Sequence, residues 1–452
     1  MFDNYKIDSW QKGVLYLATI LIIALIFFMG KKKVKFSLRI LTGLLLGALV
    51  GLTLGKTTTI YNGNTTTIIA TIRPIGNLYL RLIQMVVVPL VFTAIIKSFT
   101  SLEDTNKLKR IGLKTLFWLL FTTAIATIVG FLFAYIPKLG TGFVTEPGTT
   151  VRPIEPIENV ILGFFPNNIF QALSTNVIIP VVVFAIFISV AFIIERKRNK
   201  ERVEPFINFN NALNQLMTRI TKFVIKLTPY AVFAFIAYAT SRNNFETLKQ
   251  LGFYILLIHG AMLFHFVFVQ MGLLAANKVN PIKWIKNFYP AMTVAFTTQS
   301  SYGTMPVTIK TLEENVGVSP NIANFVGPVG ANVGLNACGA IFPAMLAVIT
   351  ANAYNIEFTF VHAILLVVTT VIASIGIAGV PGIATIAATV TLASLGLPPE
   401  GIALVIAVDP LVDMARTMIN VVGTGVAATL VAKSEKEFSE EIFESPNVLN
   451  QI

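Results

Sequence analysis

Apolar runs long enough to cross a bilayer recur along this chain, and most of them end in a cluster of lysine and arginine. A run of about twenty apolar residues in lipid must satisfy its own backbone, which a helix does internally. Residues 13–30 are nearly all apolar and stop at Lys31, Lys32, Lys33 and Lys35. A secretory signal would have a shorter core and a small-residue cleavage site after it. A basic stop marks a retained helix instead. Because cytoplasmic loops carry the excess of basic residues, these lysines lie inside and the N-terminus outside. Further spans follow at 37–54 (rich in Gly and Leu), 74–98 (with Arg81, Gln84 and a kinking Pro89), 113–136, 216–239 and 251–276. Basic clusters at 107–114, 195–202 and 278–286 return the chain to the cytoplasm in alternation. The segment 159–194 is too long for one span and is broken early by Pro166, Asn167 and Asn168.

Composition agrees. Only 12% of the 452 residues are charged and 55% are hydrophobic, where a soluble domain carries about 25% charge. The chain is read as an all-α polytopic membrane protein. The net charge of +12 sits in the short loops, so it calls for a membrane surface rather than nucleic acid. One cysteine, Cys338, excludes an internal disulfide. His259, His265 and His362 lack metal-ligand spacing and are read as packing histidines with satisfied nitrogens. No Walker loop and no nucleophile–base pair is visible. The chain is therefore not read as an enzyme, has no catalytic residues, and must draw on a gradient.

From Pro281 the pattern changes to apolar segments interrupted by Gly, Pro, Ser and Asn. In transporters such interruptions point to a binding site built from discontinuous helices. Residues 287–316 contain TTQSSYGTMP, 324–352 contain GPVGANVGLNACG, and 359–395 contain ASIGIAGVPG. The first and third have a Ser/Gly/Pro-rich tip between helix-like arms, as a re-entrant hairpin would. Irregular backbone at membrane depth must face protein or a water-filled cavity. Each motif also has a bland reading. The serines of the first can be back-bonded at a kink; the third can be a packing kink; Asn332, Asn336 and Asn420 can bond neighbouring helices.

The fourth element, 409–425, reads DPLVDMARTMINVVGTG. A charge at the bilayer centre costs about 2.5–3.5 kcal/mol on insertion scales. Asp409, Asp413, Arg416, Thr417 and Asn420 nonetheless share one helical face through spacings of three and four. A face with both signs, a hydroxyl and an amide suits an amino acid. A structural Asp413–Arg416 ion pair is the alternative.

Together QSSYGTMPVT, GPVGANVGLNACG, SIGIAGVPG and DMARTMINVVG resemble the dicarboxylate/amino acid:cation symporter family, the glutamate-transporter fold, in order and spacing over about residues 37–433. The extra N-terminal helix and the altered third motif look most like the family's bacterial L-cystine uptake branch. The resemblance implies eight core transmembrane helices, two re-entrant hairpins, one extra N-terminal helix, a homotrimer and an elevator mechanism. It divides the chain into an N-terminal helix and basic loop (1–36), a scaffold with the first six core helices (37–280, of which core helices 3 and 6 contribute to the transport domain), the site-forming hairpins and helices (281–432), and a cytoplasmic tail without a fold of its own (433–452).

By position, the resemblance assigns the substrate ammonium to Asp413 and the distal carboxylate to Arg416. Thr417 and Asn420, with backbone near Ser301 and Gly379, would hold the α-amino-acid end. Cation sites would use Gly330, Gly334 and Asn420, and a second group at Asn332, Ser374, Ile375 and Ile377. Two family carboxylates are neutral here: an Asn-Met-Asp run reads Gly334-Leu335-Asn336, and an Asp is replaced by Thr424. Gln299 replaces the usual Arg or Ser before the serine pair. The coupling ion is then sodium or a proton, the proton moving through Asp409 or Asp413, with no other cofactor and no metal beyond sodium. The expected function is L-cystine import at the cell membrane. The alternatives are an aspartate, glutamate or other dicarboxylate symporter, or, from another class, a channel or receptor-like membrane protein.

Overall fold

A computed structural model describes residues 7, 9–34, 36–61, 64–100, 106–141, 162, 165, 167–174, 178–243, 245–376, 383–406 and 408–445. Helix α1 (Trp10–Lys31) starts at Ser9, whose side chain accepts the Lys12 N–H. Its inward face buries Leu15, Ile22 and Ile26, while Leu17, Ile20, Leu21 and Phe28 stay exposed. An apolar exposed face of this size is unfavourable in water and suits lipid. Helix α2 (Phe36–Leu54) follows, then a short antiparallel hairpin pairing Thr58 with Thr67 and Tyr61 with Asn64. This hairpin is a small departure from an all-α reading.

Helices α3 (Arg73–Thr100), α4 (Asn106–Tyr135), α5 (Ile169–Ser174), α6 (Ile178–Arg198), α7 (Lys200–Ile225) and α8 (Thr228–Asn243) come next. Helix α3 runs through Pro89, and the hydroxyl of Thr93 bonds the Pro89 carbonyl at 2.8 Å. The expected single span 216–239 is different in the structure. Helix α7 starts in the basic loop, and a bend of 46° separates it from α8. Its amphipathy explains the bend's placement. Asn210 and Asn214 are buried and bond Thr93 of α3 at 3.0 and 3.1 Å, while Phe209, Leu216 and Phe223 face outward.

Helix α9 (Phe245–Phe264) passes through a π-turn (His265–Gln270) into α10 (Met271–Ala276). Then come α11 (Pro281–Thr298), α12 (Ser301–Thr311), α13 (Pro320–Gly330), a π-turn (Asn336–Ile341) leading into α14 (Phe342–Ala353), α15 (Phe360–Ala373), α16 (Ile383–Ser394), α17 (Asp409–Glu435) and α18 (Glu440–Glu444). Among the described residues six helices are long and apolar enough to cross a membrane, or seven if the bent pair is one span. This is a multi-pass membrane protein.

The helices sort into two groups by packing. In one, α2 lies along α8 and α3 packs on α6, α7 and α8. An α2 stripe explains the closeness: a Cβ on Gly43, Gly47 or Gly51 would lie 2.4, 2.6 or 2.3 Å from a carbonyl oxygen of α8. Only glycine lets the two backbones touch. In the other, α4 and α9 join α11–α17, with α4 against the Asn336–Ile341 turn, α14, α15 and α17. The groups meet where α3 touches the end of α15 and α16, and where α8 meets α9.

Two expectations need correction. The segment after Ala432, expected to have no fold of its own, is packed over residues 433–445. Lys436 turns the chain in the left-handed region, Phe438 bridges to Val318, and α18 buries Phe443. Glu435 meets Arg110 and Lys114 of α4, at 2.5 and 2.6 Å. Lys283 pairs with Glu444, and Asn287 donates to the Phe443 carbonyl at 3.0 Å. The histidines also differ from one another. His259 bonds the Ile255 carbonyl and His362 completes the cap of α15 with Thr359. His265 is fully buried, and neither ring nitrogen makes a hydrogen bond of acceptable geometry.

Candidate substrate and cation site

The first four turns of α17 carry the charges. Asp409, Asp413, Arg416, Thr417 and Asn420 are all buried there, on a helix packed against α4, α11, α13 and the Asn336–Ile341 turn. Arg416 is completely buried. Its Nη2 donates to Asp413 Oδ1 at 3.1 Å and stands 2.7 Å from Asp409 Oδ1, the latter an ion pair without hydrogen-bond alignment. The guanidinium carbon lies 4.4 Å from the centroid of Phe342, within cation–π range. Among the described residues Nε and Nη1 have no hydrogen-bond partner. The ion pair expected as the structural alternative is thus present, enlarged by Asp409. It leaves two strong, planar donors unused. Each of these nitrogens can donate to a carboxylate oxygen, and a buried charged donor left unpaired is costly.

Cys338 Sγ is 3.9 Å from Asp413 Oδ1, closer to the charges than a mere packing residue need be. The Asn420 side chain ties α17 to the broken helix, its Oδ1 accepting the backbone N–H groups of Ala337 and Cys338 at 2.8 and 3.3 Å. It caps the re-entry of that helix. The break itself is the open turn between α13 and the following π-turn, where Gly334 adopts a left-handed φ of 68°.

Ser301 opens α12. The break before it has Gln299 in the left-handed region and Ser300 as N-cap, accepting the Gly303 N–H at 3.0 Å. Helix α12 packs on both α11 and α17, so the structure brings the first motif to the charged helix. Tyr302 donates to Asn332 Oδ1, and Asn332 Nδ2 donates to the Pro328 carbonyl at 2.8 Å. Tyr302 belongs to the first motif but is not among the expected site residues, and its hydroxyl ties α12 to Asn332. Its signal was an aromatic hydroxyl inside a run of small polar residues.

A cavity of about 790 Å³ opens beside Ser300, Tyr302 and Gly303, against Lys97, Arg219 and Lys222 of α3 and α7. The α17 charges do not line it.

The expected cation groups fit unevenly. Thr424 stands against Gly330, where a Cβ would meet its Oγ1 at 2.5 Å, and donates to the Asn420 carbonyl at 3.2 Å. Gly330, Asn420 and Thr424 therefore converge. Asn332 is held by Tyr302 and Pro328. Ser374 accepts the Gly334 N–H on its carbonyl at 3.1 Å and bonds Val371 through its hydroxyl. Ile375 is packed with Leu119, Val333 and Ala427. Gly379 and Ile377 lie outside the described residues.

The profile of the sodium:dicarboxylate symporter family matches residues 36–434. The chain is 32% identical to the L-cystine uptake protein TcyP of Shouchella clausii, over 96% of this chain and 97% of that one. It is 34% identical to the protein of the same name from Bacillus cereus strain ATCC 14579, over 95% and 96%. An uncharacterized symporter of Haemophilus influenzae is 36% identical over 79% of this chain and 85% of its own. With that match running from α2 to the end of α17, the chain belongs to the sodium:dicarboxylate symporter family and is a multi-pass membrane transporter, not an enzyme.

Proposed function

We propose that the chain is a secondary active symporter importing L-cystine across the cytoplasmic membrane, driven by a sodium or proton gradient. The observation that carries the substrate class is Arg416, buried beside two carboxylates with Nε and Nη1 unpaired among the described residues. A zwitterion supplies what this cluster lacks, a carboxylate for the free donors and an ammonium for the carboxylate excess. Asp413 takes the ammonium and Arg416 a carboxylate. Thr417 and the backbone near Ser301 and Gly379 hold the rest of the amino-acid end, while Asn420 fixes the backbone at Ala337 and Cys338. Similarity to proteins named for L-cystine uptake over nearly the whole chain supports cystine among amino acids.

The proposed cation position is Gly330 and Asn420 with Thr424 beside them, the Gly334 carbonyl expected there being engaged by the Asn336 amide, and Asn332, Ser374, Ile375 and Ile377 form a second group. The two packing groups suit an elevator. On this reading α2, α3, α6, α7 and α8 are the fixed scaffold of a homotrimer. The moving body is α4, α9 and α11–α17, with α11–α12 and α15–α16 as re-entrant hairpins. With α7–α8 and α13–α14 each counted as one broken span, that gives eight core helices plus α1, an N-terminus outside and a C-terminus in the cytoplasm.

A dicarboxylate such as aspartate is the second reading, favoured by the same guanidinium and by the family's description. The test is labelled L-cystine uptake into proteoliposomes, with sodium and proton gradients imposed separately and unlabelled aspartate as competitor. Saturable cystine uptake driven by either gradient is expected. Uptake of aspartate without cystine overturns the substrate, and flux that never saturates overturns the carrier.

A further inference from the structure

Behind the charged face lies a second buried cluster, of a different kind. Three oxygens converge on one atom, the amide nitrogen of Asn336: Thr122 Oγ1 at 3.0 Å, Thr123 Oγ1 at 3.3 Å and the Gly334 carbonyl at 3.3 Å. All three can only accept. Thr122 donates its hydroxyl proton to the Trp118 and Leu119 carbonyls, at 2.9 and 3.0 Å, and Thr123 donates to Leu119 at 2.7 Å. Three inward-facing lone pairs in a buried site require a donor or a cation.

Which end of the Asn336 amide faces them is fixed from the other side. Gln270 Nε2 donates to Asn336 Oδ1 and to the Ile419 carbonyl, both at 3.1 Å. A carbonyl cannot donate, so Gln270 presents its NH2 there, and Asn336 must then turn its oxygen to Gln270 and its nitrogen to the threonines. The fit is tight. A Cβ on Gly423 would stand 2.3 Å from Asn336 Oδ1. Gln270 and Asn336 are both fully buried, each in its own π-turn.

We infer that the Asn336 amide nitrogen is a built-in substitute for a coupling cation: the three-oxygen cluster of Thr122, Thr123 and Gly334 is filled by the protein itself and binds no ion during transport. The geometry stands apart from the symport reading, which supplies only the consequence that one fewer cation moves per cycle. The Thr122 separation of 3.0 Å is that of an amide N–H···O bond, and the second amide proton is shared between Thr123 and Gly334 at 3.3 Å each. Replacing the amide by a carboxylate removes the two donor protons and adds a charge, which turns the same oxygens into a cation site.

The test is thermal unfolding of the purified full-length chain in sodium chloride and in choline chloride at equal ionic strength and pH 8. A ligand that binds only the folded state raises Tm with its concentration. Asn336→Asp should show a larger sodium-dependent rise in Tm than the parent, and an equal or smaller rise overturns the inference. Thr123→Val in the parent should lower Tm equally in both salts, because it removes an amide partner and not an ion ligand. A loss seen chiefly in sodium overturns the inference too, and this second arm stands if Asn336→Asp does not fold. Neither arm depends on which substrate is carried.

Discussion

The charged face of α17 and the amide cluster around Asn336 are neighbours, and they differ in how far their central side chains are paired by the protein itself. Both are buried, polar and surrounded by apolar helices. At Asn336 every side-chain atom capable of hydrogen bonding is used. At Arg416 two of the three guanidinium nitrogens have no partner among the described residues. An unpaired buried donor is destabilising by about 1–3 kcal/mol, more when charged. On the proposed reading the substrate carboxylate is the partner that relieves this cost. The amide network pairs Asn336 fully, while Gln270 Oε1 has no partner among the described residues, and it ties α4, the two π-turns and α17 together.

Substitutions can break or sharpen this contrast. The largest effect is expected from Arg416→Ala. It should abolish uptake and also destabilise the fold by about 3–5 kcal/mol, because Asp409 and Asp413 would be left as uncompensated buried charges. Uptake and Tm measured together check this, and unchanged uptake would remove Arg416 from the site. Asp413→Asn should come next. Loss of a charged hydrogen-bond partner worth about 1.5–3 kcal/mol corresponds to roughly ten- to a hundredfold weaker substrate binding. Titration of uptake against cystine concentration reads it, and an unaltered half-saturation point would end the ammonium assignment.

On the amide side the pattern should reverse, with stability affected and affinity spared. Gln270→Leu leaves the oxygen of Asn336 and the carbonyl of Ile419 without their donor, at a cost of about 1–3 kcal/mol. Its Tm should fall while substrate half-saturation stays put; a large affinity loss would merge the two regions into one site. The smallest effect is expected from Cys338→Ala, since a thiol 3.9 Å from Asp413 is a weak donor. A change in uptake beyond about twofold would promote Cys338 to a substrate contact.

The charged face was legible in the sequence because two carboxylates and a guanidinium in an apolar run are conspicuous, and their spacing gives one helical face. Its ion-pair geometry was half legible: Asp413–Arg416 follows from the spacing of three, but the engagement of Asp409 depends on how a long guanidinium lies against Phe342. The amide cluster was not legible as a unit. Asn336 stood out as a neutral residue, yet its partners lie on α4, on a π-turn near Gln270 and on α17, and threonine is too common in membrane helices to signal anything alone. The π-turns carry no local pattern, because an extra residue in a helix leaves composition unchanged. The bend between α7 and α8 was missed because the buried side of α7 is polar and its outer side apolar, which reads as hydrophobic without showing where a span begins. The folded segment after Lys433 was missed on charge, although Phe438 and Phe443 gave it apolar anchors.

That anchored segment has a practical use. Arg110 and Lys114 hold Glu435, and Phe438 and Phe443 dock beside Val318 and Lys283, so the chain is clamped to the α4 and α11–α12 group up to residue 445. A fluorophore or spin label attached at Glu444 therefore rides rigidly with that group. Paired with a second label on α2, whose glycine stripe fixes it to α8, it becomes a ruler across the boundary between the two helix groups, readable in single molecules without touching the substrate site.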